Sequence, residues 1–88
     1  MPVISCFFGI YLGMYHADHP PAHFQAEYQG SEAFVSIETG LILEGHLPTK
    51  AARIVREWAS EHRDELLENW TRARNLEPLT RIAGADTA

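Results

Sequence analysis

From Val3 to Tyr15 the chain is almost wholly apolar, and it favours the β-branched and aromatic residues that suit a pleated surface. Gly9 interrupts this stretch, dividing it into two short strands, Val3 to Phe8 and Ile10 to Tyr15, with a bulge or bend between them. From His23 to Tyr28 apolar and polar residues alternate with a period of two, as in a strand buried on one side. Gln29-Gly30 then reads as a two-residue hairpin turn into Ser31 to Ile37. That turn fixes a register: Tyr28 faces Ser31, Ala26 faces Ala33 and Phe24 faces Val35. Phe24, Ala26, Tyr28, Ala33, Val35 and Ile37 fall on one side of the sheet, the core side. Glu38-Thr39-Gly40 suits a three-residue hairpin loop with glycine in the left-handed position. It would set Leu41 and Leu43 opposite Ile37 and Val35, again on the core side.

From Pro48 the period lengthens. Ala51, Val55, Trp58, His62, Leu66, Trp70 and Ala73 recur at steps of three and four and form one apolar helical stripe. Pro48 fits the first helical turn, where its missing N–H costs nothing. The stripe suits one kinked helix or two consecutive ones. Two are favoured, with a break near Ser60 to Asp64, because Ser60 can cap and an unbroken helix would overhang the sheet. Arg53–Glu57 and Glu68–Arg72 are spaced for i,i+4 pairs, worth about 0.3–0.5 kcal/mol each. Pro78 ends the helical run, and Leu79 to Ile82 is expected to return as a short extended segment. The expectation is a single α+β domain over 1–82, a four- to five-stranded, mostly antiparallel sheet with helices on one face. Residues 83–88 are expected to be a disordered C-terminal tail.

Composition narrows the function classes. Eighty-eight residues hold one core and bury a modest share of their surface, and 45% hydrophobic with 22% charged residues argues against disorder. The net charge of -5 repels phosphates, so nucleic acid is an unexpected partner. An aromatic platform of Phe7, Phe8, Tyr11 and Tyr15 for single strands is accordingly set behind core and edge packing. Cys6 stands alone, which excludes an intrachain disulfide and any zinc site needing a cysteine pair; it is expected in the core. The Val3–Tyr15 stretch lacks a basic start and is too short to span a bilayer. No membrane partner is expected, and the default compartment is cytoplasmic.

The candidate chemistry lies in His16-Ala17-Asp18-His19-Pro20-Pro21-Ala22-His23, with three imidazoles and a carboxylate in eight residues. The two prolines restrict the backbone and stiffen this turn. Opposite the core side, His23, Gln25 and Glu27 project together, with Glu32 directly across from Glu27. Opposed carboxylates repel unless something positive lies between them. The candidate binding set is therefore His16, Asp18, His19, His23, Gln25, Glu27 and Glu32, and the candidate metal ligands are His16, Asp18, His19 and His23. A divalent metal is the candidate cofactor, although the spacing follows no established zinc signature. The competing reading is that the rings cap strand ends and bond to backbone groups of the turn. Asp18 orienting His19 would suit acid–base catalysis, but neighbouring residues rarely aim at one another and no nucleophile has a recognisable setting. The balance leans away from an enzyme.

These residues also carry a resemblance. Ile4-Ser5, Phe7-Phe8-Gly9-Ile10, Met14-Tyr15, Asp18-His19-Pro20-Pro21, His23-Phe24, Ala26-Glu27-Tyr28, Ile37-Glu38-Thr39-Gly40, Leu47-Pro48 and the tract from Glu57-Trp58-Ala59 to Asn69-Trp70 resemble a small bacterial family, domain of unknown function 4160 (DUF4160). The resemblance runs from Met1 to about Ile82, and His-Pro-Pro-x-His-Phe is its most specific part. It implies a protein encoded beside another small protein, in a two-gene arrangement similar to toxin–antitoxin modules. The family has histidine where this chain has Gln25, which weakens the metal reading here. The expected function is a small intracellular protein-interaction module with a protein partner. The rival is a metal- or small-ligand-binding protein, with an enzymatic variant, centred on His16, Asp18, His19, His23 and Glu27.

Overall fold

Five strands in chain order form an open antiparallel sheet, β1 Val3–Phe7, β2 Ile10–Gly13, β3 His23–Tyr28, β4 Ser31–Ser36 and β5 Ile42–Gly45. Two helices follow, α1 Thr49–Glu61 and α2 Arg63–Arg74. This is the α+β arrangement read from the sequence. The computed structural model describes residues 1–87.

The register between β3 and β4 agrees at every position with that set by Gln29-Gly30, whose φ angles of 47° and 83° make the turn one that continues the strand twist. Phe24, Ala26, Ala33, Val35 and Ile37 are buried, and Tyr28 is half-buried against them. The first hairpin is tighter than expected. Phe8 and Gly9, at φ 51° and 76°, form a two-residue turn rather than a bulge, and β2 stops at Gly13 rather than Tyr15. The irregularity lies instead within β1, between Val3 and Ser5, so that Ile4 and Ser5 are both buried. After it the alternation places Phe7 inside and Cys6 opposite the half-exposed Tyr11. Cys6, expected in the core, is therefore exposed. Of the aromatic residues around it only Phe7 is buried; Phe8, Tyr11 and Tyr15 face solvent.

The connection to β5 carries a second correction. Gly40 does take a left-handed conformation, φ 74°. The loop, however, runs from Ile37 to Gly40, closed by Ser36 N–H donating to Leu41 O at 2.9 Å. Thr39 N–H donates to Ser36 Oγ and Leu41 N–H to Thr39 Oγ1, both at 3.2 Å, so local side chains stabilise the longer loop. Val35 then pairs with Ile42 and Phe34 with Glu44, leaving Leu43 in a bulge. Leu41 and Leu43, expected on the core side, are each 51% exposed, and Ile42 packs inward in their place. A slip of one residue exchanges the faces of a strand.

The helices divide at His62 (φ −117°), within the expected interval, but neither helix has a side-chain cap, so Ser60 is not the cause. His62 instead bonds through Nδ1 to Glu65 Oε1 at 2.6 Å. Pro48 occupies the N-cap position, one residue ahead of the first turn. Of the two i,i+4 pairs, Glu68–Arg72 closes at 3.2 Å. Trp58 lies at the centre of the core, its ring 5.2 Å from Phe7 and 5.8 Å from Phe24. After α2 the chain returns beside β1: Ile82 N–H donates to Ile4 O at 2.8 Å and Trp58 Nε1 to Ala83 O at 2.8 Å. Ala88, the last residue of the expected tail over 83–88, lies outside the described residues. Among the described residues no helix is long and apolar enough to cross a membrane.

Candidate functional site

The histidine turn hangs on the end of α2. Ala17, at φ 58°, donates its N–H to Ala73 O at 2.9 Å, and Arg74 Nη1 donates to Asp18 O at 3.3 Å. His16 bonds through Nε2 to Glu77 O at 3.1 Å, which takes it away from the other two imidazoles. Asp18 is what joins the remaining members. Its Oδ1 accepts His19 N–H at 2.9 Å and lies 3.1 Å from His19 Nδ1, while Oδ2 lies 3.0 Å from His23 Nε2. Adjacent Asp18 and His19 therefore do meet, contrary to the expectation for neighbours in sequence.

His23 is held on all sides. Its ring lies 5.4 Å from Phe34 and 5.2 Å from Trp70, and Nδ1 stands 2.7 Å from Pro21 O. A carbonyl only accepts, so Nδ1 donates to Pro21 O, and Nε2 faces the Asp18 carboxylate. His23 is thus a structural post, with both ring nitrogens engaged within the chain. His19 is different: its side chain is 88% exposed and only Nδ1 is engaged. Among the described residues no group of three or more His, Cys, Asp or Glu side chains is arranged to hold a metal ion.

Further along the outer side of the sheet, Gln25 Nε2 donates to Glu32 Oε2 at 3.4 Å. Glu27 stands opposite Glu32 in register, and this amide is the donor that relieves Glu32. Residues beyond the histidine turn and absent from the sequence-derived set complete the surface. Phe34, Leu43 and Glu44 line a cleft of about 350 Å³ together with Asp18, His19, Pro21 and His23. A recess of about 150 Å³ adjoins it, sharing Phe34 and Glu44 and reaching Gln25 and Glu32. Phe34 was readable as the partner of Gln25 across the hairpin. Leu43 and Glu44 were hidden by the bulge, which sets their register. The cleft contains no serine, threonine, cysteine or lysine that could serve as a nucleophile.

Burial raises the Asp18 pKa, but the His19 backbone N–H and the neighbouring His23 and His19 rings outweigh it, so its carboxyl sits below the usual range. A depressed carboxyl stabilises the fold above its unfolded pKa of about 3.9, and that contribution is lost as the pH falls through the folded value. Asp18→Asn should therefore lower stability by about 1–2 kcal/mol near neutral pH. In urea titrations the gap between variant and parent should close below about pH 4, as the parent's carboxyl takes up its proton. A gap that persists unchanged to pH 2 would contradict this assignment.

Fold and site together define a class: a small α+β domain with a five-stranded meander, a helix pair packed on it, and a carboxylate-centred corner held at the end of α2. The family described as "Domain of unknown function (DUF4160)" matches residues 9–71, from the β1–β2 turn to within α2. The chain belongs to that family. No curated protein and no solved structure matches it.

Proposed function

We propose that this chain is a small intracellular protein-interaction module, one component of a two-protein bacterial system of the toxin–antitoxin kind. The observation that carries the reading is the cleft between the histidine turn and β5. Its walls are the apolar Pro21, Phe34 and Leu43, the last half-exposed, and its rim is acidic. Apolar side chains gathered beside a concave, rigidly buttressed surface suit a protein contact. The two-gene arrangement implied by the family resemblance supplies the partner: the product of the adjoining gene.

The test is co-expression with that product in the native host, followed by affinity measurement. Leu43→Asp should weaken the complex at least tenfold, because a carboxylate would be buried against an apolar partner surface. Its melting temperature should stay within about 2 °C of the parent, since Leu43 is half-exposed in the free chain. A complex that tolerates Leu43→Asp, or a neighbour that never binds, refutes the proposal.

A further inference from the structure

The recess next to the cleft has an unusual wall. Gln25 is only 6% exposed, yet its Oε1 has no hydrogen-bond partner among the described residues. The orientation of the amide is fixed by Glu32, since turning it over would set an oxygen against a carboxylate. A buried acceptor left without a donor is costly. The side chains beside it are acceptors too. Glu32 and Glu44 line the same recess, both exposed, and no lysine or arginine lines either hollow. Phe34 forms the wall common to both, with Gln25 and Glu44 as its cross-strand neighbours on either side.

We propose that this recess binds an arginine side chain presented by the protein partner, an inference that rests on the interaction reading above and names the chemistry of the partner. Arginine supplies five N–H donors in a planar fork, which answers both exposed carboxylates at once and leaves an N–H for the Gln25 oxygen when the side chains covering it give way. The face of Phe34 offers the guanidinium a stacking surface, and the apolar side of Leu43 offers its hydrocarbon stem a path through the larger cleft. A lysine would bring fewer donors and no plane. The chain's net charge of -5 favours the approach of a basic segment over any other. Gln25 acquires a role here: where the family has histidine, this chain carries an oxygen that asks for a donor.

The experiment uses the free full chain and N-acetyl-arginine amide, followed by amide chemical shifts. Saturable shifts at the Gln25 side-chain amide and at the Phe34 and Glu44 backbone are expected, half-complete at about 10 mM. N-acetyl-citrulline amide, alike in shape but uncharged, should bind at least tenfold more weakly, and N-acetyl-lysine amide severalfold more weakly. The double variant Glu32→Gln, Glu44→Gln should lose the arginine shifts while its spectrum keeps the dispersion of a folded chain. Equal response to citrulline, indifference to the double variant, or no saturable shift up to about 100 mM overturns the proposal. A blank titration beside an intact, Leu43-dependent complex rejects only the arginine assignment. Clear arginine binding without any complex rejects only the partner reading.

Discussion

Replacing Asn69 with alanine should destabilise the domain by about 2–4 kcal/mol, the larger part of what so small a chain has to lose. Asn69 is fully buried in α2, where an uncharged polar side chain would ordinarily be a liability. Here it clamps the returning chain. Nδ2 donates to Thr80 O at 2.8 Å, while Oδ1 accepts Thr80 N–H at 2.9 Å and the Thr80 hydroxyl at 3.1 Å. Alanine would leave the Thr80 backbone N–H and carbonyl without their partner in α2. It would also loosen the segment that carries Ile82 to β1 and Ala83 to the Trp58 indole. Asn69→Asp keeps the acceptor but loses the donor and buries a charge, so it should be no better than alanine. Thermal unfolding should show a fall of about 10 °C or more for either variant. A loss below about 1 kcal/mol would mean that the clamp contributes no more than an ordinary hydrogen bond.

Gly45→Ala should be nearly as damaging, and it should also remove binding. Gly45 ends β5 at φ 88°, a conformation that costs an L-residue about 1 kcal/mol or more. A Cβ there would run into the Glu32 carbonyl oxygen and lie 2.9 Å from Ala33 Cα, and backbone atoms of a neighbouring strand cannot swing aside. The combined cost is about 2–4 kcal/mol, or else β5 moves and takes Leu43 and Glu44 with it. Gly30→Ala is the control. It has a similar φ of 83° with nothing within 4 Å of the added carbon, so it should show the conformational cost alone. If the two variants unfold at the same urea concentration, β5 is not pressed against β4 as described.

Much of this fold was legible because local signals agreed with one another. Gln29-Gly30 set the β3–β4 register, and the alternation from Phe24 to Ile37 independently chose the same buried face. The helical stripe found every buried large apolar side chain of α1 and α2 for the same reason: a period has to match the face it covers. Asn69 escaped it, because a buried amide is recognised only when its distant partner is known. What failed were single-residue insertions. One irregularity in β1 turned Cys6 outward, and one extra residue in the β4–β5 loop turned Leu41 and Leu43 outward; composition barely registers either. The site divides along the same line. Asp18, His19 and His23 were gathered by a short turn, whereas Leu43 and Glu44 depended on the β5 bulge, and His16 on a carbonyl sixty-one residues away.

That last contact reaches beyond stability. The bend bearing Asp18 is tied to Ala73, Arg74 and Glu77, at the far end of α2 and just beyond it. The meander supplies the strands of that corner, but the anchor belongs to the helix. Fraying of the last turn of α2 should therefore loosen the cleft while the sheet stays intact. Hydrogen exchange at Ala17 should follow the opening of the helix end and not that of the strands.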